Sequence, residues 1–243
     1  MTKQREIMYG IFGVLFAFIL LALGLIQMFT YRGTPEAQEI WNVAAFEQKN
    51  NWTHFEVTGE KKGTFIFYTG AMVEPQAYAK LADDLAKEGI EVYLISSQLN
   101  LPVLDNGTMA TIVKEEHLDK VFLGGHSLGG VVSTVEAKNL NENQKVAGLI
   151  LLASYPDKST DISGTQIPVL SITASNDKIL NQDKYEDAKS KLPESTIYTT
   201  IEGGNHSGFG LYGQQNGDGT ATMSAQEQQK QLVQLIKQFI ETH

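Results

Sequence analysis

The amino-acid sequence predicts an α/β fold with a mostly parallel central sheet flanked by helices and an N-terminal transmembrane helix. Two observations lead to this prediction. Short apolar runs alternate with segments of helical periodicity, and one long uncharged run precedes them all. Short apolar strands separated by helices are typical of parallel sheets covered on both faces. The predicted strands are 55–57, 64–68, 92–95, 121–123, 149–152, 169–173 and 196–201.

Two of the helices have clear signals in the sequence. Apolar residues recur at helical spacing over 77–85, and Gly89 follows as a stop before the next strand. Near the end of the chain, Ser224 and Glu227 form a capping box, and apolar residues within 232–240 line one face. Each pattern therefore predicts a helix that packs on the sheet.

The composition excludes several classes of function. The 243 residues carry a formal net charge of −9, which argues against a nucleic-acid partner because phosphate binding needs a basic face. The chain has no cysteine, so disulfides, thiolate metal sites and a cysteine nucleophile are all excluded. We predict no metal and no cofactor.

The N-terminal run covers residues 7–29, about 23 residues without a charge. A helix of that length, at about 1.5 Å per residue, crosses the hydrocarbon core of a bilayer. Lys3 and Arg5 precede the run, so the positive-inside bias predicts a single-pass membrane protein with most of the chain outside the cytoplasm. A cleaved signal peptide and a buried soluble helix are the alternatives. The predicted regions are a membrane anchor at 1–30, a linker and edge segment at 31–62, and one domain at 63–243.

The most specific motif is Gly-His-Ser-Leu-Gly-Gly at 125–130, between a predicted strand and a helical pattern. A serine in such a sharp turn has a strained backbone, so the positions two before and two after it must lack side chains. Gly125 and Gly129 meet that condition. The turn exposes the hydroxyl of Ser127 as a nucleophile and directs the amide of Leu128 toward a developing oxyanion. An ordinary glycine-rich turn is the alternative.

A serine nucleophile needs an imidazole to take its proton and a carboxylate to orient the imidazole. In folds with this elbow, the order along the chain is serine, acid, histidine. His54 and His117 precede the serine, His126 lies within the elbow, and His243 ends the chain. His206 is therefore the predicted base, with an exposed loop histidine as the alternative.

The predicted acid is Asp177, because it lies in the turn after the strand 169–173, where a parallel sheet presents catalytic groups. The alternatives are Asp157, Asp161, Asp183 and Asp187. The second oxyanion donor is expected in the turn after the strand 64–68, where Gly70 allows a close backbone approach. Ala71 is the first choice there, and Met72 is the second.

From about Thr64 to Thr242 the chain resembles the α/β-hydrolase superfamily, particularly compact bacterial members without a cap and with a dienelactone-hydrolase-like core. The segments that carry the resemblance are 69–78, 125–130, 175–178 and 203–210. The sequence departs from the family in two places. Thr69 and Gly70 stand where many esterases have His-Gly, and Ser127 stands where dienelactone hydrolases have cysteine, so their lactone substrate is not implied.

The connection 153–167 is too short for a helical cap, which predicts an open site. The long loop 211–223 is either part of the substrate wall or a surface loop, and Asp218 within it lacks the alternating carboxylates of a calcium loop. The predicted function is a serine hydrolase that acts on a carboxylic ester or related acyl substrate through an acyl-Ser127 intermediate. An acyltransferase with the same triad and a catalytically silent binding protein of this fold are the alternatives.

Overall fold

The computed structural model describes residues 3–44, 46–49, 51–57, 59–143 and 145–243. The chain divides into two units, one ending at Thr30 and the other running Tyr31–His243. Helix α1, Lys3–Phe29, forms the first unit and includes the stretch 7–29 that was predicted to span a membrane. Within the described ranges, no helix combines the length and the apolarity that crossing a membrane requires, so the structure does not support that prediction.

The second unit is built on one eight-stranded sheet. Its strands are β1 Phe46–Lys49, β2 Trp52–Phe55, β3 Gly63–Tyr68, β4 Ile90–Ile95, β5 Val121–His126, β6 Val146–Leu152, β7 Val169–Ala174 and β8 Ile197–Ile201. Their order is β1-β2-β4-β3-β5-β6-β7-β8. The pairs β1–β2 and β2–β4 are antiparallel and the other five pairs are parallel. The predicted mostly parallel sheet is confirmed.

Helices cover both faces of this sheet. They are α2 Pro35–Val43, α3 Ala79–Lys87, α4 Thr108–Glu115, α5 Leu128–Asn141, α6 Gln182–Ala188 and α7 Ala225–Thr242. Side chains alternate along β3, so Phe65 and Phe67 join the core beneath α3 and α7, whereas Ile66 and Tyr68 join the core beneath α4 and α5. The sheet is therefore buried on both sides, which explains why its strands have continuous apolar sequences.

The segment ahead of β3 contains more regular structure than the sequence indicated. Strand β2 runs Trp52–Phe55, so it begins three residues before the predicted strand 55–57. Strand β1, Phe46–Lys49, was not predicted, because three of its four residues are polar and it forms the edge of the sheet. The pairing of Phe46 with Phe55 holds it against β2.

A buried carboxylic acid links α5 to the sheet. The hydroxyl of Tyr68 lies within hydrogen-bond distance of two oxygens, the carbonyl of Asp105 and Oε1 of Glu136, the latter at 2.7 Å. A tyrosine hydroxyl donates one hydrogen, so both contacts are satisfied when Glu136 carries a proton and donates to Tyr68. Burial raises the pKa of Glu136, which favours this protonated form.

Glu136 is expected to make the stability of the fold depend on pH. The folded state holds its proton more tightly than the unfolded chain does. The free energy of unfolding should therefore fall as pH rises from about 4.3, the ordinary glutamate pKa, through the raised pKa of the folded state. Glu136→Gln, which stays neutral, should lack this decline when unfolding in urea is measured from about pH 4 to 8. Glu142→Gln, at the exposed end of α5, is the control. An equal decline in wild type and Glu136→Gln would contradict the protonated acid.

Candidate active site

Ser127 lies between the last residue of β5 and the first residue of α5, with φ 53° and ψ −123°. This conformation is strained for a residue with a side chain. The turn is tight enough that a Cβ atom on Gly125 would lie 2.3 Å from the carbonyl carbon of Gly129. A Cβ atom on Gly129 would lie 2.3 Å from the carbonyl oxygen of Thr69. Both glycines are therefore required by backbone contacts on either side of the serine.

His206 and Asp177 form a buried pair. His206 Nδ1 lies 2.8 Å from Asp177 Oδ2, and the two residues are 2% and 4% exposed. The other carboxylate oxygen, Oδ1, accepts hydrogen bonds of 2.8 Å from the amides of Ile179 and Leu180. The backbone thus fixes the carboxylate so that one oxygen faces the imidazole. A neutral imidazole that donates from Nδ1 presents a lone pair at Nε2.

The alternative aspartates make other contacts. Asp157 accepts hydrogen bonds from the amides of Ser159 and Thr160, and Asp161 accepts one from the amide of Ser163. These carboxylates stabilise local turns between β6 and β7. Asp183 and Asp187 lie exposed on α6. Of the five candidates, the structure brings only Asp177 to His206.

Ser127 and His206 line the same cavity, which has a volume of about 380 Å³. The rest of its wall follows the ends of β5, β6 and β7. These residues are Leu128, Val131, Ala153, Ser154, Tyr155, Asp157, Ile179, Leu180 and Asn181. The connection 153–167 contains no helix, so no helical cap covers the cavity from that side. The carboxyl ends of neighbouring parallel strands therefore converge on one site, as expected for this type of sheet.

The two predicted oxyanion donors lie on different elements. Leu128 begins α5, and its amide belongs to the free N-terminal turn of that helix. In the turn after β3, the amide of Met72 donates to the carbonyl of Asn100 at 2.7 Å and is occupied. No partner is found for the amide of Ala71 among the described residues, which favours Ala71 over Met72. Ala71 is not among the residues that line the cavity.

A buried hydrogen-bond chain, which sequence reasoning missed, connects the turn after β3 to the elbow. The hydroxyl of Tyr78 accepts a hydrogen bond of 2.9 Å from the amide of Gly70, so its own hydrogen is left for Nδ1 of His126, 2.8 Å away. Burial raises the pKa of Tyr78, whereas burial and the nearby His206 lower that of His126. Both groups are therefore neutral. The helical spacing of the sequence predicts only that Tyr78 packs in the core.

Another contact missed from the sequence holds the backbone ahead of the imidazole. The side chain of Gln228, on α7, donates to the carbonyl of Asn205 at 2.8 Å and accepts from its amide at 3.0 Å. Gln228 is fully buried. The capping box predicted the helix that carries Gln228, but nothing in the sequence pairs it with a loop 23 residues away.

One group of side chains could hold a metal ion, among the residues that the structure describes. Ligand atoms of Glu47, His54 and Glu56 lie within 4.8 Å of one another. They lie on and next to β1 and β2, at the sheet edge, and His54 Nε2 also contacts Glu91 at 3.1 Å. Three strands separate β1 from β5 in the sheet, so this group takes no part in the site at Ser127.

Removing the hydroxyl of Tyr78 is expected to destabilise the fold. Tyr78→Phe leaves the amide of Gly70 and Nδ1 of His126 buried without a partner. Because each such group costs about 1–3 kcal/mol, the free energy of unfolding should fall by about 2–6 kcal/mol in urea denaturation. Tyr198 is 40% exposed, so Tyr198→Phe should change this free energy by less than about 0.5 kcal/mol. Equal stabilities for the two variants would contradict the chain of hydrogen bonds.

Solved structures with low sequence identity share the fold. An esterase of Pyrobaculum calidifontis has a TM-score of 0.63 at 15% identity, covering 85% of this chain and 88% of its own. A dienelactone hydrolase from Anabaena variabilis scores 0.59 at 18% identity, covering 82% and 96%. MGS-MChE2, an α/β hydrolase enzyme from the sediment metagenome of the Mar Chica lagoon in Morocco, scores 0.59 at 16% identity, covering 82% and 98%.

Sequence comparison gives the family directly. A search of curated proteins finds no match. The model of the alpha/beta hydrolase family matches residues 64–230, which is more than half of the chain and includes the elbow and the Asp177–His206 pair. On that match, and on a sheet and helices arranged as in the solved structures, the protein belongs to the alpha/beta hydrolase family.

Proposed function

We propose that this protein is a serine hydrolase that cleaves a carboxylic ester or a related acyl compound. Ser127 is the nucleophile, His206 the general base and Asp177 the group that orients the base. The observation that supports the proposal best is the 2.8 Å contact between Asp177 and His206, because His206 lines the same cavity as Ser127. The strained backbone of Ser127 adds support, because such strain exposes a nucleophile.

The reaction follows from these positions. The hydroxyl of Ser127 attacks the acyl carbon while Nε2 of His206 takes its proton, and the amides of Leu128 and Ala71 stabilise the oxyanion. The intermediate collapses as His206 returns the proton to the leaving alcohol, which leaves an acyl group on Ser127. Water then attacks this acyl group while His206 takes its proton, and His206 returns that proton to the oxygen of Ser127 as the acid is released. Asp177 stabilises the imidazolium that forms in each half of the reaction.

The shape of the cavity favours substrates of modest size. A volume of about 380 Å³ is near the lower end of the range for small-molecule sites. Val131, Ile179 and Leu180 give part of the wall an apolar surface, which suits an alkyl or aryl group of an ester. The fold relatives agree with this class, since two of them are an esterase and a dienelactone hydrolase.

Acyl transfer would use the same residues with an alcohol in place of water. Product analysis with and without an added alcohol acceptor distinguishes the two reactions, because a transferase forms a new ester. A silent binding protein would neither turn over esters nor react with a fluorophosphonate. The predicted location outside the cytoplasm rests on the charges around residues 7–29 and stays a prediction.

Ser127→Ala is expected to abolish labelling by a fluorophosphonate probe and hydrolysis of p-nitrophenyl esters of graded acyl length. Asp177→Asn should lower kcat by about 10⁴-fold, because the imidazole loses the carboxylate that sets its tautomer. Labelling is read on a denaturing gel and hydrolysis by absorbance, on full-length protein shown by circular dichroism to be folded. Ser190 is exposed and does not line the cavity, so Ser190→Ala should match wild type. Folded wild-type protein that neither labels nor hydrolyses any ester would refute the proposal.

A further inference from the structure

The long loop 211–223 lies beside the proposed catalytic residues without touching the substrate cavity. Within the described structure, none of its residues lines the cavity that contains Ser127 and His206. The sequence allows this loop to be either part of the substrate wall or a surface loop. Its contacts indicate a third role, centred on the carboxylate of Asp218.

The carboxylate of Asp218 bridges the two loops that carry the acid and the base. Its Oδ1 accepts hydrogen bonds from the amide of Lys178 at 3.2 Å and of Gly219 at 2.8 Å. Its Oδ2 accepts from the amide of Ser207 at 2.9 Å and from the hydroxyl of Ser207 at 3.0 Å. Lys178 directly follows the proposed acid in the chain, and Ser207 directly follows the proposed base.

The same loop also contacts the residues that precede the acid and the base. The side-chain amide of Asn205 donates to the carbonyl of Gly219 at 2.7 Å. A Cβ atom on Gly219 would lie only 1.8 Å from the carbonyl oxygen of Asn176, so a residue with a side chain could not approach the acid loop this closely. Residues 218 and 219 therefore touch both neighbours of Asp177 and both neighbours of His206.

A carboxylate suits this position because four hydrogens converge on it. Three come from backbone amides and one from a hydroxyl, and an ionised carboxylate accepts at two oxygens with about four lone-pair sites. An asparagine of the same size has one oxygen and one NH₂ group. Its NH₂ group, a donor, would therefore face the amide N–H of either Lys178 or Ser207, which is also a donor. The site thus distinguishes aspartate from its closest neutral analogue.

We propose that Asp218 is a positioning residue that sets the separation and alignment of Asp177 and His206. It acts through Lys178 and Ser207, and it contacts neither the substrate cavity nor the reacting atoms. The inference rests on the proposed function for its effect on catalysis. Its effect on the contact between Asp177 and His206 is independent of whether any substrate is hydrolysed.

The test compares Asp218→Asn with Asp161→Asn in the full-length protein. Asp161 is a matched control because its carboxylate also accepts from the amide and the hydroxyl of one serine, Ser163, but in an exposed turn. With p-nitrophenyl esters, Asp218→Asn should lower kcat by about 10- to 100-fold, since small misplacements of catalytic groups have effects of that size. KM should change by less than about 3-fold, because the cavity wall is intact.

A second measurement does not depend on activity. An imidazole N–H bonded to a carboxylate gives a downfield proton resonance, and the one from His206 Nδ1 should move upfield or broaden in Asp218→Asn and stay unchanged in Asp161→Asn. If Asp218→Asn is unfolded by circular dichroism, Ser207→Ala removes one of the four contacts, and a smaller loss of kcat in the same direction is expected.

The outcomes separate this proposal from the proposed function. Lower thermal stability in Asp218→Asn with unchanged kcat and an unchanged resonance would show a merely structural role and overturn the proposal. Wild-type protein that neither labels nor hydrolyses esters would refute the proposed function, and the resonance would still test the positioning role. A lower kcat together with a shifted or broadened resonance, in Asp218→Asn but not in Asp161→Asn, supports the positioning role of Asp218.

Discussion

The close backbone approach between Gly129 and Thr69 is the constraint on which the rest of the site depends. It brings the first turn of α5 against the end of β3, in a space where even one Cβ atom would collide. Ser127, two residues before Gly129 and directly ahead of α5, has a strained backbone. The same approach brings the start of the turn after β3, which also carries Ala71, close to the first turn of α5. The hydrogen bonds from Gly70 to Tyr78 and from Tyr78 to His126 also connect this turn to the elbow.

The parallel sheet supplies the remaining geometry. Strands β5, β7 and β8 end on the same side, and the chain continues from them to Ser127, Asp177 and His206 respectively. Each of the three residues thus follows the end of a strand, although they are far apart in sequence. The side chain of Gln228 donates a hydrogen bond to the loop of His206, and the carboxylate of Asp218 accepts hydrogen bonds from the loops of both Asp177 and His206.

The sheet and the candidate residues could be predicted from the sequence because each has a local signal. Apolar runs identified the strands from β3 to β8, and the glycines around Ser127 marked the elbow. The predicted strand 55–57 shares only Phe55 with β2. Chain order then selected His206. Strand β1 was missed because an edge strand with polar residues has no apolar run. The contacts of Tyr78, Gln228 and Asp218 were missed because each joins segments that only the tertiary structure brings together. The long uncharged run predicted a membrane span that the described helices do not support.

The connection 153–167, which follows β6 and contains no helix, has a consequence for the rate of turnover. Because residues 153–167 contain no helix, no helical cap on that side has to open before a molecule enters or leaves. In many enzymes such a movement, and not bond cleavage, limits the overall rate. For the proposed hydrolase, a cleft without a helical cover on that side shifts that limit toward the bond-making and bond-breaking steps.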